Sequence, residues 1–300
     1  MRYAVVDFIR VVAIVLLLLG HILYWAGPYW ETFGTLGGIY SVSFGGIAVS
    51  LFLVVSGLVL ELNYREKEGY KDWIIRRLLR IYPIYFLSLA VGVFMHYLAL
   101  IYTRGVYPSY SNLDLWHWLC SLVGFCAFFG FWGGPFLPTG WFVGLIVVLY
   151  FLFPFLSKII NRSLEKSLIM IFLFSVVSRV LLAKGYIVLP GNPLEWFPLA
   201  RIFEFSFGIY LAIVVKRRIF LILNSYTRTA SILKFFAELS FPLFLVHFQF
   251  LFLIKYLTRF GFSKVIGTLI FIAISVFVSY GILEISRQLQ RKIVTRSLFQ

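Results

Sequence analysis

The sequence predicts an all-α fold, a polytopic transmembrane helical bundle of about eight full spans plus one short or re-entrant helix. Three observations predict it. Hydrophobic residues fill 61% of the 300 positions and charged ones only 13%, a balance foreign to soluble domains of this length. Apolar runs of about 20 residues recur from one end to the other. Lys and Arg collect in the short stretches between those runs, as the positive-inside rule leads one to expect. The net charge of +15 therefore reports topology and contact with anionic lipid, and no nucleic acid is expected as a partner. Residues 1–300 read as a single integral membrane domain without a sizeable soluble part. The first run lacks a small-residue cleavage site and is followed by many more, so it reads as a span and not a signal peptide. Cys120 and Cys126, six apart in an apolar stretch, suggest neither a disulfide scaffold nor a metal site, and no metal is expected.

The first span is expected over Ala4–Tyr24, with Arg2 on its near side. Within it Asp7, Arg10 and His21 stand at offsets of 0, +3 and +14. At about 100° per residue all three fall within about 60° of one another, so one side of a greasy helix is polar. The loop Trp25–Thr35 carries Glu31 and no Lys or Arg, and reads as external. The second span, Gly38–Leu60, contains Gly45-Gly46 and Ser56-Gly57, small pairs that let a neighbouring helix approach. Arg65 to Arg80, with Lys67, Lys71, Arg76 and Arg77, is the strongest cytoplasmic marker. The third span starts inside it and runs to Tyr102, with Arg76 and Arg80 on one face and Pro83 placed to kink it.

Leu113–Phe131 is the ambiguous stretch. Read as a non-crossing element, it lets Trp141–Ser157 enter from outside. It then puts three basic clusters on the inside: Lys158 to Lys166, Lys216-Arg217-Arg218, and Arg287, Arg291, Lys292 and Arg296. The remaining spans are Ser167–Leu189, Leu199–Val215, Ile232–Tyr256 and Val265–Ile285, with both termini cytoplasmic in the cell membrane.

Ionisable groups inside a membrane are costly unless paired or facing a wet cavity, and are functional candidates for that reason. Asp7 with Arg10 can equally be helix-to-helix glue, and Lys184 suits a snorkelling surface position. Arg179 sits near the middle of its span with no acid within four residues, so its partner must come from another helix, a lipid headgroup or a ligand. Arg201 and Glu204 are i,i+3 and can face together. His21 can take a proton from a hydroxyl near physiological pH, or simply hydrogen-bond a neighbouring carbonyl. His247, beside Gln249, reads as the only other histidine deep in a well-defined span. No Gly-x-Ser-x-Gly elbow, His-Glu-x-x-His or P-loop occurs, which leaves covalent serine chemistry, zinc hydrolysis and nucleotide hydrolysis without a motif.

Several pieces, in order, resemble the membrane acyltransferase 3 family, which O-acylates surface polysaccharides and related glycans. They are Asp7-Phe-Ile-Arg10 with His21; Phe52-Leu-Val-Val-Ser56-Gly57; Arg76-Arg77-Leu-Leu-Arg80-Ile-Tyr-Pro83; Trp141-Phe with Tyr150 and Pro154; Arg201-Ile-Phe-Glu204-Phe-Ser-Phe-Gly208; and Ser240-Phe-Pro-Leu-Phe-Leu-Val-His247. The resemblance implies transfer of an acyl group, acetyl in the first instance, from acyl-CoA to a hydroxyl of a surface or lipid-linked carbohydrate. Acyl-CoA is then a co-substrate, acetyl-CoA the first expectation, with no permanently bound cofactor. It implies that His21 is the general base and that Arg10, Arg76, Arg77 and Arg80 hold the donor. Arg179 is a candidate oxyanion donor, and Trp141, Tyr150, Arg201, Glu204 and His247 have supporting or acceptor-side roles. Two departures stand out. Ile146 occupies the position of a glutamate found in many members, and the interval from Gly208 to Ser240 is too short for two extra helices common there. The rivals are a glycolipid or small-anion transporter and a non-catalytic sensor or scaffold built on the same fold.

Overall fold

The computed structural model describes residues 3–26, 32–36, 40–64, 69–102, 114–131, 133–218 and 229–297. Arg2, Glu31, Arg65 and Lys67, and the side chains of Arg217, Arg218 and Arg296, lie outside what it describes. The helices are α1 (Ala4–Ala26), α2 (Phe44–Leu62), α3 (Tyr70–Tyr102), α4 (Leu115–Val123), α5 (Trp141–Arg162), α6 (Leu164–Ala183), α7 (Pro193–Trp196), α8 (Pro198–Arg218), α9 (Thr229–Val246), α10 (Phe252–Arg259) and α11 (Lys264–Ser297). Eight segments among the described residues are long and apolar enough to cross a membrane, so this is a polytopic helical membrane protein. The Leu113–Phe131 stretch is not one of them. It holds α4, whose nine residues span only about 14 Å, and a 3₁₀ turn, Cys126–Phe129.

Several boundaries differ from expectation: α5 runs on to Arg162, α6 stops at Ala183 instead of Leu189, and α11 continues to Ser297. Two further differences have clear local reasons. The second span begins at Phe44 rather than Gly38, because Ser43 caps it by accepting a hydrogen bond from the Gly46 N–H at 2.9 Å. Before it, Thr32–Leu36 and Tyr40–Ser43 form a short antiparallel pair, β1 and β2, a stretch rich in Thr, Ser and Tyr that suits a strand better than a helix. The expected span Ile232–Tyr256 is broken in the middle. Pro242 has no N–H to give the preceding turn. Past it, side chains take the carbonyls a helix would use: His247 donates to Leu243 and Phe244, and Thr139 to Leu245 at 2.6 Å. The chain tightens into a 3₁₀ turn, His247–Phe250, before α10 begins. Pro83 causes no such break, and α3 runs continuously through it.

The chain divides into two compact units. The first comprises Met1–Gly20, Trp30–Tyr70 and Leu145–Glu238. Its centre is the crossing of α2 with α8, where backbone meets backbone. A Cβ on Gly57 would lie 2.0 Å from the Phe205 carbonyl oxygen, and one on Gly208 would lie 2.0 Å from that of Val54. Of the small residues expected to permit close packing, Gly57 is used in this way, while Gly45 has open space beside it. Polar groups tie further helices to this crossing. Glu61 of α2, 4% exposed, accepts from Ser157 of α5 at 2.6 Å and pairs with Lys216 of α8 at 3.4 Å. Ser175 of α6 donates to the Ala200 carbonyl of α8 at 2.9 Å.

The second unit comprises His21–Tyr29, Lys71–Gly144 and Leu239–Gln300. Here α3 holds α4 through two tyrosines: Tyr82 donates to the Val123 carbonyl at 2.9 Å and Tyr85 to that of Ser121. These are carbonyls of the last turn of α4, where that of Ser121 also accepts the Gly124 N–H at 3.3 Å, and Gly124 closes the helix in the left-handed conformation (φ 78°). Cys126 packs beneath, its thiol pushed up to about 11 by burial, and Cys120 is buried nearby, so neither is a thiolate at neutral pH.

Candidate active site

Two histidines meet in the second unit. His21, near the end of α1, has its ring centroid 5.1 Å from that of His247, the planes tilted by 35°. Phe248 stands edge-on to His21 at 5.5 Å, and also against Trp25, one turn further along α1. Lys255 of α10 places its ammonium 4.7 Å from the centre of the Trp25 ring, so the end of α1 is gripped by the 3₁₀ turn and α10 together. The break in the α9 segment therefore has a local consequence, since it builds the turn against which His21 rests.

The hydrogen bonds of His247 fix its tautomer. Its Nδ1 faces the Phe244 carbonyl at 2.8 Å and the Leu243 carbonyl at 3.1 Å. Carbonyls only accept, so Nδ1 carries the proton and donates. The lone pair of the neutral ring then lies on Nε2, which is buried and has no hydrogen-bond partner among the described residues. The two rings are therefore tilted neighbours in van der Waals contact, with the Nε2 of His247 left without a hydrogen bond.

The arginine cluster lies in the same unit, at the other end of α3. Arg76 and Arg80 share its exposed face, as their spacing requires, while Arg77 is half-buried with its guanidinium 5.7 Å from the centre of the Trp73 ring. Trp141, at the start of α5, belongs to this unit too, its ring meeting Phe142 edge to face.

Other sequence candidates fall in the first unit. Asp7 is 1% exposed and its carboxylate is 3.9 Å from Arg10, at the outer limit of an ion pair. Tyr150 lies near Phe205. Arg179 takes its partner from another helix: it donates to Glu204 Oε1 at 2.9 Å, and Arg201 donates to the same oxygen at 3.1 Å. Arg201 is 1% exposed and also engages Glu195 and Ser50. Two arginines and two glutamates thus form a neutral buried network joining α6, α7 and α8, of which the sequence showed only the Arg201–Glu204 step. Ile146 is 2% exposed among the apolar side chains of α5.

Two buried polar groups escaped the sequence reading. Glu61, at the end of its span, looks like a residue bound for water. His96, six residues before the end of α3, is 1% exposed, so His247 is not the only other deeply buried histidine. No group of three or more metal-ligating residues occurs among the described residues.

No curated protein and no solved structure matches the chain significantly. A family model described as an acyltransferase domain, that of the acyltransferase 3 family, matches residues 3–226. The match covers well over half of the sequence, and the chain belongs to that family.

Proposed function

We propose that this acyltransferase 3 family member moves an acyl group from acyl-CoA to a hydroxyl of a surface or lipid-linked carbohydrate, with His21 as general base. Family membership carries acyltransferase-type activity at a membrane; the donor, the acceptor and the residue roles are our reading. The observation that supports it is the packing of His21 on a tautomer-fixed, wholly buried His247.

The donor's phosphates would be held by Arg80 and Arg77, with Arg76 on the exposed face alongside, since guanidinium groups match phosphate oxygens with paired, charge-assisted bonds. Sixteen residues of α3 separate Arg80 from His96, about 24 Å of helix, which leaves room for an extended thioester arm to run toward the histidine end. There His21 removes the acceptor hydroxyl proton as the oxygen attacks the thioester carbonyl. The C–O bond forms, the tetrahedral intermediate expels the CoA sulfur, and the proton on His21 passes to that thiolate. His247 Nε2 would accept from the second N–H of the His21 imidazolium, serving where a carboxylate serves in other bases, and Ile146 would then need no acidic replacement.

The experiment is acetyl transfer by purified H21Q, with folded protein and acyl-CoA binding measured in the same preparation. Gln keeps a hydrogen-bonding side chain and cannot act as a base near neutral pH, so turnover should fall by about 10²–10⁴-fold with donor affinity unchanged. Near-normal transfer per folded molecule removes His21 as the base and favours a transporter or scaffold.

A further inference from the structure

His96 presents a second polar site in the histidine-bearing unit. It is 1% exposed, and neither ring nitrogen has a hydrogen-bond partner among the described residues. A neutral imidazole carries one donor and one acceptor. Burying both unmet is unfavourable, and such groups in folded proteins are nearly always satisfied by something. The ring neighbours of His96 are aromatic: Phe136 edge-on at 5.3 Å and Tyr97 at 5.5 Å. Phenylalanine would suit that packing without the unmet groups.

The surroundings of His96 are built rigidly. Gly92, one turn earlier on the same face of α3, meets the Phe136 carbonyl so closely that a Cβ there would lie 2.2 Å from the oxygen. Gln249, wholly buried, donates its amide to that same carbonyl. Gln249 stands two residues beyond His247, on the 3₁₀ turn that packs on His21. Thr139, three residues past Phe136, donates to Leu245 at the base of that turn. Phe136 is therefore fixed between His96 on one side and the histidine-bearing turn on the other.

We propose that His96 binds the acceptor carbohydrate, one ring nitrogen donating to a sugar hydroxyl and the other accepting from one. This rests on the reading of the His21 end as the place of transfer. A sugar suits the site because its hydroxyls both donate and accept, which matches the paired unmet capacity of an imidazole. The phosphate groups of the donor do not, since His96 lies about 24 Å along α3 from Arg80. An ordered water is the competing occupant.

The test compares the full-length parent, H96F and H96Q in detergent. The probe is the lipid-linked oligosaccharide pool extracted from the source membranes, and the donor is radiolabelled acetyl-CoA. Equilibrium binding of the pool, which needs no chemistry, is measured beside acceptor KM, donor KM and thermal midpoint. H96F should weaken pool binding and raise acceptor KM by about 10–100-fold, with a donor KM within about two-fold and a midpoint no lower than the parent's. H96Q should recover part of the loss. Unchanged pool binding by H96F overturns the proposal, as does a fall in midpoint with both KM values unchanged, which marks a structural water site. A parent that binds the pool through His96 but transfers nothing leaves the site standing and refutes the transferase reading. A parent that transfers while H96F binds equally well does the reverse.

Discussion

Glu204→Gln should be more damaging than Arg179→Leu, although the two side chains form one ion pair. Glu204 Oε1 accepts from Arg179 at 2.9 Å and from Arg201 at 3.1 Å, and the side chains of the two arginines are 8% and 1% exposed. Removing the glutamate charge leaves two buried guanidinium groups facing one remaining carboxylate, that of Glu195. Stranding a buried charge costs about 3–5 kcal/mol. Removing Arg179 instead leaves Glu204 paired with Arg201, and the loss should be nearer 1–3 kcal/mol, the cost of a charge-assisted bond and its packing. The double variant R179L/E204L returns the network to neutrality as Arg201 with Glu195, and its loss should fall short of the sum of the single losses. The measurement is the thermal midpoint of purified protein by size-exclusion recovery after heating, with acetyl transfer per folded molecule recorded in parallel. Equal midpoints for E204Q and R179L would refute the shared-acceptor reasoning. Transfer by R179L/E204L separates the two readings of Arg179. Normal turnover is expected of a network residue, whereas a 10²–10³-fold loss in the folded double variant identifies an oxyanion donor.

Arg80→Ala should weaken acyl-CoA binding by about 10–100-fold, the loss of one charge-assisted phosphate contact of about 1.5–3 kcal/mol, and leave the protein folded; equal donor affinity by equilibrium binding would count against a phosphate role. Gly208→Ala should lower the thermal midpoint sharply, because the new methyl would sit 2.0 Å from the Val54 carbonyl oxygen and must push α2 and α8 apart, a type of overpacking that costs about 1–3 kcal/mol. Gly45→Ala, with nothing beside it, should be neutral in the same assay. A cysteine at Ser163, the one residue between α5 and α6, should resist an impermeant thiol reagent in intact cells, since Lys158, Arg162 and Lys166 around it form one of the three basic clusters; labelling from outside would reverse the proposed topology.

What could be read from the sequence depended on how far apart the cooperating residues lie. His21 stood out because a polar side chain in an apolar run is costly wherever the run folds. Arg201 with Glu204, and Arg76 with Arg80, were legible because helical spacing alone decides whether they share a face. Arg179 could be recognised as needing a partner, but Glu204 lies 25 residues away on another helix, and periodicity within one helix does not reach that far. The interruption at His247 was hidden for a similar reason. Pro242 gave a hint, while the competing donors are side chains, and one of them, Thr139, comes from 106 residues earlier.

His96 is the clearest case, because its meaning lies in what it fails to touch. By sequence it is one histidine among aromatics near the end of a long span, where contact with water or headgroups would satisfy it at no cost. Only burial turns the same side chain into an unmet demand. His247 poses the same question in milder form, with one nitrogen satisfied and the other unpartnered beside His21. Both sit on the frame that Gly92, Phe136 and Gln249 lock together, so the unmet nitrogens are held by rigid contacts rather than by loose loops. Rigid presentation of unsatisfied groups lowers the cost of ordering them when a polar ligand arrives. That makes this end of the second unit, and not the arginine–glutamate network of the first, whose charges are balanced by one another, the better place for an acceptor hydroxyl.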